Sequence, residues 1–521
     1  MAFSLTAQEL LARAFRSYAS DPVATFGEET WTYHEAWERA GRLADALADA
    51  GFERGDFLGV MMSNQLDYLT ANLACVRGGY VNVPLNDMLA ADEFRYMLSD
   101  SGARGVVVGE GFADTLADIR PDLPGLELAV AVADDPPEDT VSLSSMLDRG
   151  DSEGPDVTVS PDDLLRLSYT GGTTGKPKGV RQTHGILAAN MLAHVTDLDI
   201  RHHEEMLIMT PLPHAAGYMH MGGMLKGAHF TITQGFDPGE FLDTVETGGV
   251  TWTFLAPTMI YRTLDHDRFE ETDVSGIETI VYGAAPITPE RLSEALDGFG
   301  RVFIQLYGQT EMPDVGTVLP KKDHQKGSER ITSCGKPATM VDVRIADPDD
   351  ITDTDPLPAG DVGEVLLRSP YTMDGYYNRP EQTAETVVDG WLRTGDIGRK
   401  GADSYVYLLD RRSDVIISGG MNVYTTEVED ALDGHDGIAQ VAVIGVPHDD
   451  WGEAVHAVVV SREGADISAE DVRSYVDGRL SDYKKPKSVE FVENLPTTPY
   501  GKVDKKALRE PYWEDSDRQI S

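Results

Sequence analysis

Cysteine is nearly missing from this 521-residue chain. Cys75 and Cys334 are the only two, which excludes a disulfide framework and a cysteine-ligated zinc site and fits a reducing cytoplasm. Lysine is scarce as well: there are 14, and the first is Lys176. Basic residues number 44 against 88 acidic ones, a net charge of −44. A surface of that sign repels nucleic acid and anionic lipid, which argues against either as a partner. No apolar run approaches the ~20 residues of a membrane-spanning helix. The N-terminal stretch MAFSLTAQELLARAFRSYAS lacks a basic segment followed by an apolar one, so it does not read as a secretory leader. Its spacing predicts an amphipathic surface helix.

Hydrophobic residues make up 41% of the chain, enough for a folded enzyme-sized body and too many for a disordered one. Domains usually span ~100–200 residues, so at least two are expected. The lysine-poor, acidic composition is similar to that of proteins from salt-accumulating halophiles, where molar salt screens the self-repulsion.

The first third alternates helical and strand signals. Tyr33 to Ala50 has helical spacing and stops at Gly51, and Asp56 to Met62 is a short buried strand. Leu66 to Gly78 is helical again, and Gly105 to Val108 is a further buried strand. Such alternation predicts an α/β body with parallel strands. The Asp- and Pro-rich stretch from Pro121 to Pro161 reads as an irregular surface excursion. Val281, Phe303 and Ile304 belong to short strands leading into glycine turns at Gly283 and Gly308, the place where α/β proteins put ligands. Val341 to Arg368 reads as antiparallel strands joined by a Pro/Asp/Gly turn. Past Arg411 the pattern changes to a small α+β module. The expected division is residues 1–411, a large body of mostly parallel sheets with flanking helices plus a small β subdomain, and residues 412–521, a small mobile α+β lid.

The densest chemical signal is Ser168 to Val180, SYTGGTTGKPKGV. Small residues let backbone amides approach an anion, hydroxyls add donors, and lysine adds charge. It is not a P-loop. That motif needs four residues between its first glycine and Gly-Lys, but only three separate Gly171 from Gly175-Lys176, and Pro177 follows the lysine. The segment resembles the phosphate loop of the acyl-adenylate-forming superfamily: acyl-CoA synthetases, carrier-protein adenylation domains and luciferases. Further motifs of that superfamily follow in order. They are PLPH (Pro211–His214), GAAP (Gly283–Pro286), YGQTE (Tyr307–Glu311), WLRTGD (Trp391–Asp396), DRRSDVIISGGMN (Asp410–Asn422) and LPTTPYGK (Leu495–Lys502). The resemblance covers the chain from about Leu10 to Leu508.

The chemistry implied is carboxylate activation. A carboxylate has oxide as its leaving group, so AMP transfer from ATP turns it into a mixed anhydride with a good one. Two anions meet at the α-phosphate, and the site must supply cations and oriented donors. By resemblance, ATP would be held by Thr170, Gly171, Gly172, Thr173, Thr174, Gly175, Lys176 and Lys178 on the phosphate side. Gly283, Ala284 and Ala285 would form one adenine wall and Tyr307 the ring stacked on the other, with Gly308 and Gln309 beside it. Thr310 would donate to the α-phosphate, and Glu311 would hold Mg²⁺. Asp396 would accept from the ribose hydroxyls, a bond to an anion that is strong when dry, with Arg411 next to it. Lys502, which alone would be an ordinary exposed lysine, would bridge the carboxylate and the α-phosphate. His214, Tyr218 and Met219 would border the acyl pocket. Met219, Met221 and Met224 alone would read as core, but beside PLPH a pocket role is equally open, because methionine adapts to flexible acyl chains. Ser418, Gly419, Gly420 and Met421 would face the pantetheine arm of CoA after the lid turns; a plain β-turn would carry the same residues. The His202–His203 pair has no metal spacing.

Three positions depart from the superfamily pattern. Gly171 stands where serine is common, Pro213 replaces an aromatic before His214, and Ser413 occupies a hinge position where Lys or Asp is frequent. The resemblance implies a cytoplasmic, ATP-dependent acid–CoA ligase, monomeric or dimeric. A medium- or long-chain fatty acid is the first choice of substrate, because Gly217, Gly222, Gly223 and the methionines suggest an open channel. An aryl acid such as a benzoate or cinnamate is the second. Carrier-protein adenylation is weaker, because no carrier domain follows. A nucleotide-binding regulator on a decayed scaffold conflicts with intact Glu311, Asp396, Arg411 and Lys502.

Overall fold

The computed structural model describes residues 5–133, 135–170, 176–448, 450–462, 464–498 and 502–513. Glycine-rich residues 171–175 of the phosphate loop lie outside this set. The chain is a multidomain α/β protein with four sheets. A seven-stranded sheet runs in the order Val141–Ser142, Leu128–Val132, Gly105–Gly109, Phe57–Met61, Val81–Leu85, Leu164–Thr170 and Lys178–Thr183. Its strands are parallel until the last pair, an antiparallel hairpin whose connection is the phosphate loop. The central strands are buried on both faces, which is why they read as continuous apolar runs.

A nine-stranded sheet packs beside it. Its parallel centre is Phe303–Gln309, Thr279–Tyr282, Trp252–Leu255, Glu205–Ile208, His229–Ile232 and Pro22–Phe26. Met312–Leu319 folds back antiparallel on Phe303–Gln309, so Thr310 and Glu311 form the turn of that hairpin. The Tyr307–Gln309 segment therefore ends a strand and does not form the glycine turn expected there. Asp342–Ala346 and Val362–Arg368 pair antiparallel as their pattern indicated, within a five-stranded sheet that includes Trp391–Lys400 and Val406–Arg411.

Local signals account for the helix ends. Tyr33–Asp49 starts at a capping box: the Thr32 hydroxyl accepts from the Glu35 amide, and the Glu35 carboxylate accepts from the Thr32 amide. Ala7–Ser17 buries Ala7, Leu11, Ala14 and Phe15, one stripe of an otherwise polar helix. The region 121–161 corrects the sequence reading. It holds the strand Leu128–Val132, parallel to Gly105–Gly109, then Val141–Ser142 and the helix Leu143–Arg149. Within LELAVAV, Leu128–Val132 is a full sheet strand whose Asp- and Pro-rich flanks hid it. Among the described residues, no helix is long and apolar enough to cross a membrane.

The fourth sheet draws only on residues after Val415: Met421–Val423, Ile416–Ser418, Gly452–Ser461, Ile438–His448 and Ser488–Phe491. The link into it is stitched from several sides. Asp410, at the end of Val406–Arg411, accepts from the Thr425 amide and from its hydroxyl at 2.8 Å. Lys505 donates to that same hydroxyl at 2.6 Å and pairs with Glu429 at 2.8 Å. Arg509 pairs with Asp414 at 2.8 Å. Burial pushes the Asp410 carboxyl up to about 6, against the opposing pull of Lys505 and the Thr425 donors.

A carboxyl whose folded value lies above its unfolded one favours folding when protonated. Its contribution is full below the unfolded value near 3.8 and is lost as pH rises through about 6. Asp410→Asn imitates the protonated form and keeps an acceptor for Thr425. At pH 8 it is expected to unfold later than wild type, by up to ~3 kcal/mol, because two pH units convert at about 1.4 kcal/mol each. The gain should vanish near pH 4. Thermal scans at both pH values check this, and a variant less stable than wild type at pH 8 would contradict it.

Candidate active site

One cavity of about 1300 Å³ opens where the first three sheets and the C-terminal segment meet. Thr170, Lys178, Thr310 and Glu311 line one region of it; Tyr218, Phe254 and Leu306 line another. Arg411 and Lys502 reach it from the C-terminal side.

On the first side, Thr170 and Lys178 are register partners at the mouth of the phosphate-loop hairpin. The Lys178 ammonium stands 4.6 Å from the centre of the Tyr376 ring. The Tyr376 hydroxyl donates to Glu311 Oε1 at 2.6 Å, and the Met373 amide donates to the Glu311 carbonyl at 2.8 Å. Burial, with the Glu311 charge adding, keeps the Tyr376 phenol protonated and hence a donor. Lys176 lies outside the lining, with its ammonium 5.2 Å from the Tyr96 ring centre. Among the described residues, no three His, Cys, Asp or Glu side chains gather as a metal cage. A single oriented carboxylate fits Mg²⁺ that arrives on a triphosphate, since that ion keeps phosphate oxygens and waters as most of its ligands.

Gly283 follows the strand Thr279–Tyr282, and a Cβ there would stand 2.6 Å from the Leu306 carbonyl oxygen, so the two strand ends close without room for a side chain. Ala284 takes a left-handed conformation, φ 66°, and lines the cavity; Gly283 and Ala285 do not line it. Tyr307 and Asp396 lie just behind the lining and hold each other. The Tyr307 hydroxyl donates to Asp396 Oδ2 at 2.5 Å, Gln309 donates to the same oxygen at 2.9 Å, and Arg411 Nε faces Oδ1 at 2.8 Å. Burial and the Asp396 charge keep the Tyr307 phenol protonated. Gly308 lines the cavity with Gln309.

Lys502 is an exposed residue whose side chain lies among the atoms that line the cavity. That crowding pushes its pKa below the ordinary lysine value, Arg411 adds to the fall, and Asp396 opposes it. Across the cavity, burial holds His214 down to about 4; Asp314 opposes the shift, and the Lys502 and Arg166 cations add to it. His214 is therefore neutral near pH 7, and Lys502 supplies charge where the two meet.

Two expectations for the acyl end are not met. Met219 is fully buried in the core with Met221 and Met224, one helical step from Tyr218, and does not line the cavity. The channel read from Gly217, Gly222 and Gly223 is closed: a Cβ at these positions would meet the Leu212 carbonyl at 2.1 Å, His194 at 2.8 Å and Met206 at 2.7 Å. These glycines let the helix Ala215–Met224 pack closely and leave no space beside it. Ser418, Gly419, Gly420 and Met421 form the tip of the hairpin from Ile416–Ser418 to Met421–Val423 and do not line the cavity. Gly419 and Gly420 have φ of 60° and 80°, as a two-residue hairpin turn requires. Tyr376, Arg166, Gln182 and Asp314 carry much of the geometry without belonging to a recognised motif. Only Arg166 left a trace in the sequence, as a charge inside the apolar strand LLRLSYT.

This constellation, with a hydroxyl, a carboxylate and several cations around one cavity at the ends of a parallel sheet, is that of a nucleotide-dependent carboxylate-activating enzyme. The chain belongs to the AMP-binding enzyme family: residues 11–377 match that family and residues 427–502 match its C-terminal domain. It is 39% identical over 485 residues to a feruloyl-CoA synthase of Amycolatopsis sp, covering 93% of this chain and 94% of that protein. It is 34% identical over 525 residues to the medium/long-chain-fatty-acid–CoA ligase FadD8 of Mycobacterium tuberculosis, covering 98% of this chain and 91% of that protein. Its structure superposes on ATP-bound MatB from Rhodopseudomonas palustris with a TM-score of 0.88 at 30% identity, covering 98% of this chain and 100% of that one.

If Lys502 neutralises charge only as the new bond forms, Lys502→Ala should abolish adenylation while ATP binds within a few-fold of wild type. Acid-dependent pyrophosphate exchange and nucleotide titration, measured separately, check this. Exchange at the wild-type rate in the variant would contradict it.

Proposed function

We propose that this protein is an ATP-dependent carboxylic acid–CoA ligase working through an acyl-adenylate. The observation that carries the reading is the placement of Lys502 in the cavity opposite neutral His214 and beside the Asp396–Arg411 pair. In the first half-reaction a carboxylate oxygen attacks the α-phosphorus, an O–P bond forms, and diphosphate leaves. Lys502 and the Thr310 hydroxyl stabilise charge at the α-phosphate, and Lys178 faces the departing phosphates. The Glu311 carboxylate holds the nucleotide's Mg²⁺, which offsets negative charge on the phosphates when bound. Asp396 offers Oδ1 to the ribose beside Arg411. In the second half-reaction the CoA sulfur attacks the acyl carbon and AMP leaves. Residues 412–521 turn as a lid for this step, pivoting near Ser413, and bring the 418–421 hairpin to the thiol arm.

The substrate end favours a compact acid. Packed glycines and core methionines remove the argument for a long aliphatic channel, while the rings of Phe254 and Tyr218, with Leu306 in the same lining, suit an aryl acid. The named activity of the Amycolatopsis relative accords with this reading, and a medium- or long-chain fatty acid, the named substrate of FadD8, is the second. The −44 charge and the scarcity of lysine support a salt-accumulating cytoplasm as the working environment.

The test is a screen of aryl and fatty acids with ATP and Mg²⁺, with and without CoA, in dilute buffer and in molar KCl. Diphosphate release that depends on the acid, AMP and thioester formation that depends on CoA, and higher rates in KCl are expected, with an aryl acid giving the highest kcat/KM. Absence of acid-dependent diphosphate release in every condition would refute the ligase reading. Best turnover of a long-chain acid would refute only the substrate preference.

A further inference from the structure

Arg166 and Gln182 face each other as register partners on the antiparallel strands that carry the phosphate loop. Both are buried, and neither belongs to a family motif. Among the described residues, no carboxylate lies within ion-pair distance of Arg166. Its Nε donates to Ser168 Oγ at 2.9 Å, its Nη2 donates to the Pro213 carbonyl at 2.8 Å, and its guanidinium carbon stands 4.2 Å from the centre of the Tyr218 ring. Nη1 is buried and has no partner. A buried cation without a counter-charge is costly and needs a surrounding polar network to offset it.

That network has one direction. Tyr218 donates its proton to Gln182 Oε1 at 2.8 Å, because that oxygen can only accept. Ser168 must then be the donor in its 2.9 Å contact with the Tyr218 hydroxyl, while it accepts from Arg166. Gln182 Nε2 donates onward to the Thr310 carbonyl at 2.9 Å. Turning that amide over would set two acceptors against each other at the carbonyl, so its orientation is fixed. Every donor points from the cation toward Thr310. The relay joins the phosphate-loop hairpin (Arg166, Ser168, Gln182), the acyl-side helix (Tyr218) and the Thr310–Glu311 turn.

We infer that Arg166 and Gln182 are positioning residues: a cation-driven, one-way hydrogen-bond relay along the cavity floor fixes the Thr310–Glu311 turn relative to the acyl and phosphate ends. The inference rests on the ligase reading, in which that turn faces the α-phosphate. A polarised chain of this kind is stiffer than separate bonds, and small displacements of a turn that stabilises developing charge act on the chemical step more than on binding. The alternative is a purely structural polar core, whose loss would lower stability without a selective effect on turnover.

The test is acid-dependent pyrophosphate exchange by Gln182→Met, Tyr218→Phe, their double variant and Arg166→Lys, with unfolding temperatures measured alongside. Gln182→Met is expected to lower kcat by ~10–100-fold while KM for ATP stays within about threefold. The double variant should be no slower than Gln182→Met alone, since both cut one relay. Arg166→Lys, which keeps the charge but replaces the fixed fork with one ammonium, should fall between wild type and Gln182→Met. Should Gln182→Met not fold, Gln182→Glu carries the same expectation, because it still accepts from Tyr218 but cannot donate to Thr310. A kcat within about threefold of wild type, or losses that multiply in the double variant, would overturn the relay. Inactivity of wild type with every acid would instead sink the ligase reading on which it stands.

Discussion

The ion pair between Asp396 and Arg411 sets the geometry of the site. The two residues are register partners on adjacent antiparallel strands, so their backbones are fixed before their side chains meet. Asp396 is then fully committed on one oxygen, which accepts from Tyr307 and Gln309, and shares the other with Arg411. A carboxylate so buried needs such donors around it to offset its lost hydration. Arg411 is also the last residue of its strand, three positions ahead of Asp414, where Arg509 attaches the final helix. The same pair thus closes one end of the cavity and fixes the origin from which the C-terminal segment extends Lys502 across it.

Electrostatics explains why the few lysines stand where they do. The protein as a whole is strongly anionic, yet its cavity must receive a triphosphate and a carboxylate. Lys178, Arg411 and Lys502 line that cavity, and Arg166 sits beneath it without a carboxylate partner. Among the described residues Lys178 and Lys502 form no close carboxylate pair, so their charge is available to incoming anions, while Arg411 shares its charge with Asp396. Elsewhere the bonds are structural: Lys484 with Glu427 and Lys505 with Glu429 are committed to carboxylates, and Arg393, which also lines the cavity, is taken up by Glu364. Held near 4 by burial, His214 contributes a neutral surface, and the positive charge opposite it rests on Lys502.

How much of this was legible in the sequence follows from what each signal reports. Buried strands such as Phe57–Met61 and the capped helix Tyr33–Asp49 announce themselves through local periodicity and capping chemistry. Leu128–Val132 did not, because its flanks have the composition of a loop. Motif residues marked the site's rim, and Thr310, Glu311, Arg411 and Lys502 do meet at one cavity. Composition could not distinguish glycines that open a channel from glycines that permit close packing; only the positions of Leu212, His194 and Met206 decide it. Nor could it reveal Tyr376 or Gln182, whose roles depend on partners 65 and 128 residues away.

The central claim is that one cavity brings an acid and a nucleotide together, with Lys502 spanning the junction. The most direct measurement is a crystal structure with a non-hydrolysable sulfamate analogue of an acyl-adenylate. The account requires the ribose on Asp396, the sulfamate within hydrogen-bond distance of Lys502 and Thr310, and the acyl group against Tyr218. An analogue bound with its sulfamate out of reach of both Lys502 and Thr310, or its ribose away from Asp396, would contradict it.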